Sequence, residues 1–237
     1  MIELRSRLMR SIIAIVIVLL CLFPWAKDIY ALLAAPLLKA LPLGGTMIAT
    51  DVTGTFLVPL KVTLMAAFLI ALPYVLFQMW AFVAPGLYHH EKRLAIPVIM
   101  SSVVFFALGM AFAYFAVFPI AFGFFANYAP VGVQMMTDID KYLSFVLTMF
   151  MAFGVTFEVP VVVIVLVRLG VVSLEKLRSI RGYVIVGAFV VGAVFTPPDI
   201  LSQVMLAVPL WLLYELGLLC ARFITVPKRD KEGEAAA

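Results

Sequence analysis

Six long apolar runs, separated by clusters of charged and turn-forming residues, divide this chain from one end to the other. A helix needs about 20 mainly apolar residues to cross a bilayer. Helices are the plausible spanning element, because lipid offers no partners for free backbone groups. A membrane β-barrel would alternate polar and apolar residues, whereas these runs are apolar on both faces. The sequence therefore predicts an all-α, polytopic membrane protein with six transmembrane helices. We place the spans at about 8–30, 56–83, 94–118, 142–167, 182–196 and 200–221.

The composition leaves little room for a domain outside the membrane. Of the 237 residues, 65% are hydrophobic and only 13% are charged, and the mean hydropathy is +1.17. A soluble globular chain has about 45–50% apolar and about 25% charged residues. We therefore expect a single transmembrane domain over residues 1–224. The polar residues 225–237, which end in a run of alanines, are expected to form a disordered cytosolic tail.

Lys and Arg residues are divided unequally between the two sets of loops and termini. Cytosolic segments of membrane proteins carry an excess of these residues. The basic side should therefore be cytosolic, which places both termini inside and agrees with an even number of spans. That side carries 13 of the 17 cations, namely Arg5, Arg7, Arg10, Lys92, Arg93, Arg168, Lys176, Arg178, Arg181, Arg222, Lys228, Arg229 and Lys231. The other side holds Lys27, Lys39, Lys61 and Lys141.

The last two spans are predicted to be short. Only 15 residues separate Arg181 from Pro197, which gives a helix of about 22 Å against a hydrocarbon core of about 30 Å. Glu215 interrupts the sixth span and leaves 200–214 as its continuous apolar part. Alternatively, Arg181 and Glu215 extend their charged groups to the membrane interface. The three outward loops are predicted at about 31–55, 119–141 and 197–199.

Glu158 carries the carboxyl group whose position within the membrane costs the most free energy. It lies 10 residues before Arg168 in the fourth span, about 15 Å deep and so near the midplane. A carboxylate there costs about 2.5–3.5 kcal/mol on insertion scales. Pro160 removes the backbone donor to Thr156 and favours a kink. We expect these residues to form a kinked polar site that faces the bundle or a water-filled cavity. A protonated Glu158 that is bonded to a neighbouring helix is the alternative.

Other acidic residues lie near the predicted membrane surfaces. Before the tail, the basic side has only Glu3, Glu91 and Glu175, and carboxylates are the groups that pair with guanidinium ions of a basic peptide. From spacing alone, a helical pair of Glu3 with Arg7 and a solvated Glu91 are the favoured interpretations. Asp199 follows two prolines and is expected to cap the sixth helix. Docking of another subunit there remains an alternative.

The sequence offers no enzyme site. No nucleophile and base are paired, and no glycine-rich phosphate loop is present. His89 and His90 are adjacent, and Glu91 alone would be a poor third metal ligand. We therefore expect no catalytic residue, metal, cofactor or nucleic-acid partner.

Five ordered motifs, spread over about residues 2–223, resemble those of the TatC family, the core receptor of the twin-arginine protein translocase. They are ELRSRL from Glu3, MIATD up to Asp51 with Phe56, Pro59 and Lys61, WAFVAPGLY up to Tyr88 with His90 and Glu91, FGVTFEVP up to Pro160, and TPPD up to Asp199 with Ser202 and Gln203. The family usually has a His-Leu pair before the first Glu, and here Met1 takes the Leu position.

The resemblance implies a multi-pass protein of the bacterial inner membrane. Such a protein binds signal peptides with consecutive arginines and helps to move folded proteins across the membrane, driven by the proton-motive force. It works with TatA- and TatB-type single-span proteins in homo- and hetero-oligomers, in contact with membrane lipid. The resemblance also implies kinked helices that together form a concave face.

The resemblance also implies three sites. The signal-peptide site takes Glu3 and Glu91 as carboxylates for the arginine pair, Arg5 from the same motif as Glu3, and Phe82, Pro85 and Tyr88 as shaping residues. The intramembrane polar site takes Thr156, Glu158 and Pro160. The partner-docking site takes Pro197, Asp199 and Gln203.

A different class of function remains open, namely a proton-coupled transporter of small solutes with Glu158 as the proton relay. Secondary transporters often show internal repeats with broken helices at matching positions. No such repeat is visible in this sequence.

Overall fold

The structure, a computed structural model, describes residues 2–40, 48–83, 92–127, 137–168, 170–196 and 199–223. Side chains are described for 5–34, 48–80, 96–125, 137–168, 170–196 and 199–223. The predicted tail lies outside the described residues, as do Pro85, Tyr88, Glu91 and Pro197. Glu3 and Phe82 are described in their backbone only.

Within these ranges the chain forms ten α-helices. They are α1 Ile2–Leu22, α2 Ala26–Ala40, α3 Gly54–Val83, α4 Lys92–Phe112, α5 Phe118–Asn127, α6 Ile139–Phe157, α7 Val159–Arg168, α8 Leu174–Ser179, α9 Arg181–Phe195 and α10 Ile200–Arg222. Five helical segments are long and apolar enough to cross a membrane, namely Arg5–Ala34, Gly54–Trp80, Ile96–Phe125, Ile139–Arg168 and Ile200–Arg222, and α9 is a shorter apolar helix. The predicted all-α membrane fold is confirmed.

Three of the spans are made of two helices in series, each joined at a local irregularity. A 3-10 turn, Phe23–Trp25, links α1 to α2, and a π-helical turn, Ala113–Val117, links α4 to α5. The third junction lies at Glu158, between α6 and α7. A proline accompanies each junction, at Pro24, Pro119 and Pro160. These three breaks agree with the predicted kinks.

The predicted outward loops at 31–55 and 119–141 were too long, because helix continues to Ala40 and to Asn127. Pro36 has no N–H to donate to the Leu32 carbonyl, and the Tyr114 hydroxyl donates to that carbonyl instead, at 3.1 Å. Pro119 follows the π-helical turn, in which the Phe118 N–H reaches back five residues to the Ala113 carbonyl. The wider turn accommodates the proline ring, so that helix resumes.

The last two helices were predicted to be short, and this is correct for α9 but wrong for α10. Helix α9 has 15 residues, as expected, but α10 runs unbroken for 23 residues, which is about 34 Å. Glu215 does not end α10, because its carboxylate accepts from the Arg181 guanidinium of α9 at 2.7 Å. The short helix α8 was not predicted. It is bonded to α10, because the Tyr214 hydroxyl donates to the Leu177 carbonyl at 2.7 Å.

Glycines allow helices to approach α6 and α7 closely on two sides. A Cβ atom added to Gly109 of α4 would lie 2.5 Å from the Phe153 carbonyl oxygen of α6. One added to Gly217 of α10 would lie 2.9 Å from the Cα atom of Pro160 in α7. Small residues permit such close backbone contacts in membrane bundles. As a result, α4 and α10 lie directly against the span that carries Glu158.

At the end of the bundle where α3 and α6 begin, the first and second predicted outward loops are joined. The backbone of Ile48 pairs with that of Asp138. The Asp138 carboxylate accepts from the N–H and hydroxyl of Thr50 and also caps α6 through the N–H of Asp140. The Thr50 hydroxyl is the main reason that the pKa of Asp138 is lowered to about 2. Lys61 adds an ion pair to Asp140 at 2.5 Å.

Candidate functional site

The predicted signal-peptide residues that the structure describes lie at one end of the bundle. We call this the basic end, where α1 begins, α3 ends and α10 ends. Glu3 lies in the first turn of α1, and Phe82 lies in the last turn of α3. Arg5 is exposed on α1. The structure therefore brings the backbones of Glu3 and Phe82 to the same end.

Gln78 holds α1 against α3 at this end. Its side chain is only 5% exposed, and its amide oxygen accepts from the Arg7 guanidinium at 3.4 Å. A buried amide is stable in an apolar bundle only when its polar atoms find partners. The role of Gln78 could not be assigned from the sequence, although a lone polar residue in an apolar span is the signal that would have pointed to it.

Glu158 occupies the junction between α6 and α7, as predicted. Its N–H donates to the Val155 carbonyl at 3.1 Å, a tight turn of 3-10 type, and α7 starts again as the Val162 N–H donates to the Glu158 carbonyl at 3.0 Å. Thr156 and Pro160 are buried beside it. The predicted break in the fourth span is therefore present, and a polar functional site at these residues remains a prediction.

The Glu158 side chain is 9% exposed. Neither carboxyl oxygen has a hydrogen-bond partner among the described residues. An unpartnered buried carboxyl is costly, and such a residue inside a membrane protein is a functional candidate by default.

A buried polar pair on α3 and α4 was not predicted. Ser102 of α4 is fully buried, and its hydroxyl oxygen accepts from the Trp80 indole N–H of α3 at 3.1 Å. A pair of serines at 101 and 102 in an apolar run was the available sequence signal.

The predicted docking residues at the opposite end are already used within the fold. Asp199 caps α10, as predicted, by accepting from the Ser202 N–H at 2.7 Å. The Gln203 amide donates to the Phe189 carbonyl of α9 at 2.9 Å, and Gly192 gives Gln203 room to lie against α9. These contacts fix the α9–α10 hairpin. The outer side of α9 leaves large apolar side chains exposed, namely those of Tyr183, Val186, Val190 and Val194.

No group of three His, Cys, Asp or Glu residues in the described part of the chain is arranged to hold a metal ion.

Comparison with known proteins places these features in a family. The family model for the Sec-independent protein translocase protein TatC matches residues 1–209. The protein of that name from Escherichia coli (strain K12) is 54% identical over 232 residues, which cover 98% of this chain and 90% of the relative. The one from Azotobacter chroococcum mcd 1 is 57% identical over 235 residues, covering 99% and 91%.

A solved structure shows the same fold. The crystal structure of the twin-arginine translocase receptor TatC has a TM-score of 0.82 and 41% identity, and the match covers 93% of this chain and 96% of that chain. The likeness therefore extends over sequence, length and fold together, and it favours a protein translocase over the alternative of a small-solute transporter.

Proposed function

Because this chain belongs to the TatC family of Sec-independent protein translocase proteins, we propose that it is the core receptor subunit of a twin-arginine translocase. In this role it binds signal peptides that carry consecutive arginines. Together with TatA- and TatB-type partners, it moves folded proteins across the bacterial inner membrane, driven by the proton-motive force. The observation that carries the proposal is the match to relatives of this name over nearly the whole chain.

The signal peptide binds at the basic end, which faces the cytosol in this proposal. The excess of Lys and Arg there supports that orientation. Most of the surrounding charge is positive, so Glu3 and Glu91 are the acceptors that would discriminate a twin-arginine motif. A guanidinium binds a carboxylate through two parallel hydrogen bonds, whereas a lysine ammonium binds as a point charge. Phe82, Pro85 and Tyr88 shape the same site.

Glu158 and the α9–α10 hairpin serve the steps of transport that follow signal-peptide binding. The unpartnered, buried carboxyl of Glu158 offers a polar contact inside the membrane to a segment that has entered it. The exposed apolar face of α9, beside Asp199 and Gln203, is where single-span partners dock. A helix packed against this face would cover apolar side chains that otherwise meet lipid.

Replacement of Glu91 tests the site. A folded reporter with a twin-arginine signal peptide is expressed with TatA- and TatB-type partners and either the wild-type chain or the Glu91→Ala variant. We expect the variant to remain in the membrane and to lose export. Glu175→Ala, which removes another acid from the basic side, is the matched control and should export normally.

Two outcomes would count against different parts of the proposal. Normal export by Glu91→Ala would show that Glu91 is not part of the peptide site. Failure of the wild-type chain to support export with its partners present would refute the proposed function itself.

A further inference from the structure

Helix α8 and the start of α9 lie against the side of α10, well before α10 ends. The Leu177 carbonyl of α8 accepts from the Tyr214 hydroxyl at 2.7 Å, and the Arg181 guanidinium of α9 pairs with the Glu215 carboxylate at 2.7 Å. After these contacts α10 continues for seven residues to Arg222, which is about 10 Å along its axis. The basic end therefore has a step here. We call α8, the start of α9 and the end of α10 the stepped corner.

The step leaves the last two turns of α10 uncovered on the side of α9. Residues four and three apart on a helix share one face, so Glu215, Leu219 and Arg222 do so. Glu215 is paired with α9, but Leu219, one turn later, is 57% exposed. Arg222 is exposed as well, and the Arg181 side chain remains partly exposed. The stepped corner is therefore a recess that has an ion pair at its floor and a cation at its rim.

Helix α8 adds two further cations to the stepped corner. Leu177 is buried against α10, in the same apolar cluster as Tyr214 and Leu218. Lys176 and Arg178, on either side of Leu177 in the sequence, are exposed. The packing of Leu177 therefore fixes α8 in place while both charged side chains remain free to bind a ligand.

The charges of the stepped corner are out of balance. Lys176, Arg178 and Arg222 form no ion pair with a carboxylate of the described residues. The ion pair of Arg181 carries no net charge, and Glu175 is the remaining acid among the described residues of this corner. Three cations against one acid leave an excess of two positive charges. The stepped corner therefore favours a ligand with net negative charge.

Large apolar side chains continue from the stepped corner along the outside of the bundle. Tyr183 and Phe223 are 80% and 86% exposed, and each lies one or two residues from a cation of the corner. A phospholipid presents the same combination, because its charged phosphate is joined directly to apolar chains. The polar region of each leaflet is about 5–8 Å thick, so a step of about 10 Å is deep enough for a headgroup. Free phosphate would leave the apolar side chains uncovered.

We propose that the stepped corner binds the headgroup of an anionic phospholipid, with Lys176, Arg178 and Arg222 as the cations that contact its phosphate. Clusters of Lys and Arg beside a membrane span attract anionic lipids in this way. The bound lipid holds the start of α9 at its depth, which matters because α9 is about 22 Å long and the hydrocarbon core is about 30 Å thick. This inference goes beyond the proposed function and does not depend on it.

Native mass spectrometry of the purified full chain measures lipid binding directly. The protein is titrated with phosphatidylglycerol, which is anionic, or with phosphatidylcholine of the same acyl chains, which is zwitterionic. The wild-type protein should bind phosphatidylglycerol more tightly. The double variant Lys176→Gln/Arg178→Gln should bind phosphatidylglycerol about 25-fold more weakly, since each cation near a membrane surface contributes about fivefold. Its binding of phosphatidylcholine should be unchanged.

A second double variant controls for net charge. Arg10→Gln/Lys27→Gln removes two exposed cations from α1 and α2, outside the stepped corner, and should bind phosphatidylglycerol as the wild-type protein does. Equal weakening by the two double variants would show attraction to net charge alone and would overturn the proposal. A wild-type protein without preference for phosphatidylglycerol would also overturn it, and would favour an acidic protein segment as the ligand.

Hydrogen exchange in nanodiscs tests where the lipid binds. The backbone amides of 174–180 should exchange more slowly in phosphatidylglycerol than in phosphatidylcholine, and Lys176→Gln/Arg178→Gln should remove this difference. The amides of α6 and α7 serve as the reference, because their exchange should be the same in every sample if the fold is intact. Equal exchange of 174–180 of the wild-type protein in the two lipids would refute a headgroup site at the stepped corner.

Discussion

Gly109→Ala should force apart α4 and α6, which approach each other closely at this glycine. The added Cβ atom would lie 2.5 Å from the Phe153 carbonyl oxygen, whereas ordinary contact begins at 3.4 Å. The neighbour is a backbone atom and cannot rotate away. Helix α4 must therefore withdraw from α6 by about 0.9 Å, the difference between these two distances.

The energetic cost can be separated from helix propensity. Overpacking of this kind costs about 1–3 kcal/mol, and replacing Gly by Ala in a helix returns up to about 1 kcal/mol. Gly187→Ala on α9 has the same propensity gain, but its Cβ atom would meet nothing within 4 Å. The two variants should therefore differ by about 1–3 kcal/mol in the free energy of unfolding, with Gly109→Ala the less stable.

Unfolding in mixed detergent micelles, followed by circular dichroism, measures both variants against the wild-type protein. Equal stability of Gly109→Ala and Gly187→Ala would refute the close approach of α4 to α6.

Three further predictions concern the opposite end of the bundle. Tyr142→Phe should lower the free energy of unfolding by about 1 kcal/mol, because it removes the bond from the hydroxyl to the Leu33 carbonyl; denaturant titration measures it. Asp199→Ala should lower the free energy of unfolding by about 1 kcal/mol, because it removes the cap of α10. Asp199→Asn can still accept from the Ser202 N–H and should retain most of that stability. The pKa of Asp138 is about 2 against an ordinary 3.8, so its contribution to stability is present above pH 3.8 and is lost as the pH falls toward 2. Thr50→Val should raise that pKa, which a carboxyl NMR titration detects.

Features that depend on local sequence could be predicted. Hydrophobic run length located the spans, because the bilayer sets the length of a helix and penalises every free backbone group. Pro160 and Glu158 marked the break in the fourth span, since a proline removes a helical hydrogen bond wherever it stands. Asp199 after two prolines marked the start of α10, and its cap is formed as expected.

Features that depend on a distant partner could not be predicted. Residues 31–55 were predicted as a loop, but helix continues past Pro36, because the hydroxyl of Tyr114 satisfies the carbonyl that the proline leaves open. Glu215 indicated a short sixth helix, but Arg181 pairs with its carboxylate across the hairpin. The bond from Trp80 to Ser102 likewise exists only once α3 and α4 have packed together.

Capture of a twin-arginine peptide from position 91 tests the central claim most directly. A photo-reactive residue is placed at 91, with the same residue at 175 as the control, and membranes are exposed to matched peptides that carry Arg-Arg or Lys-Lys. The receptor function predicts that position 91 captures the Arg-Arg peptide and not the Lys-Lys peptide, while position 175 captures neither. Equal capture of both peptides at 91, or none of either, would contradict it.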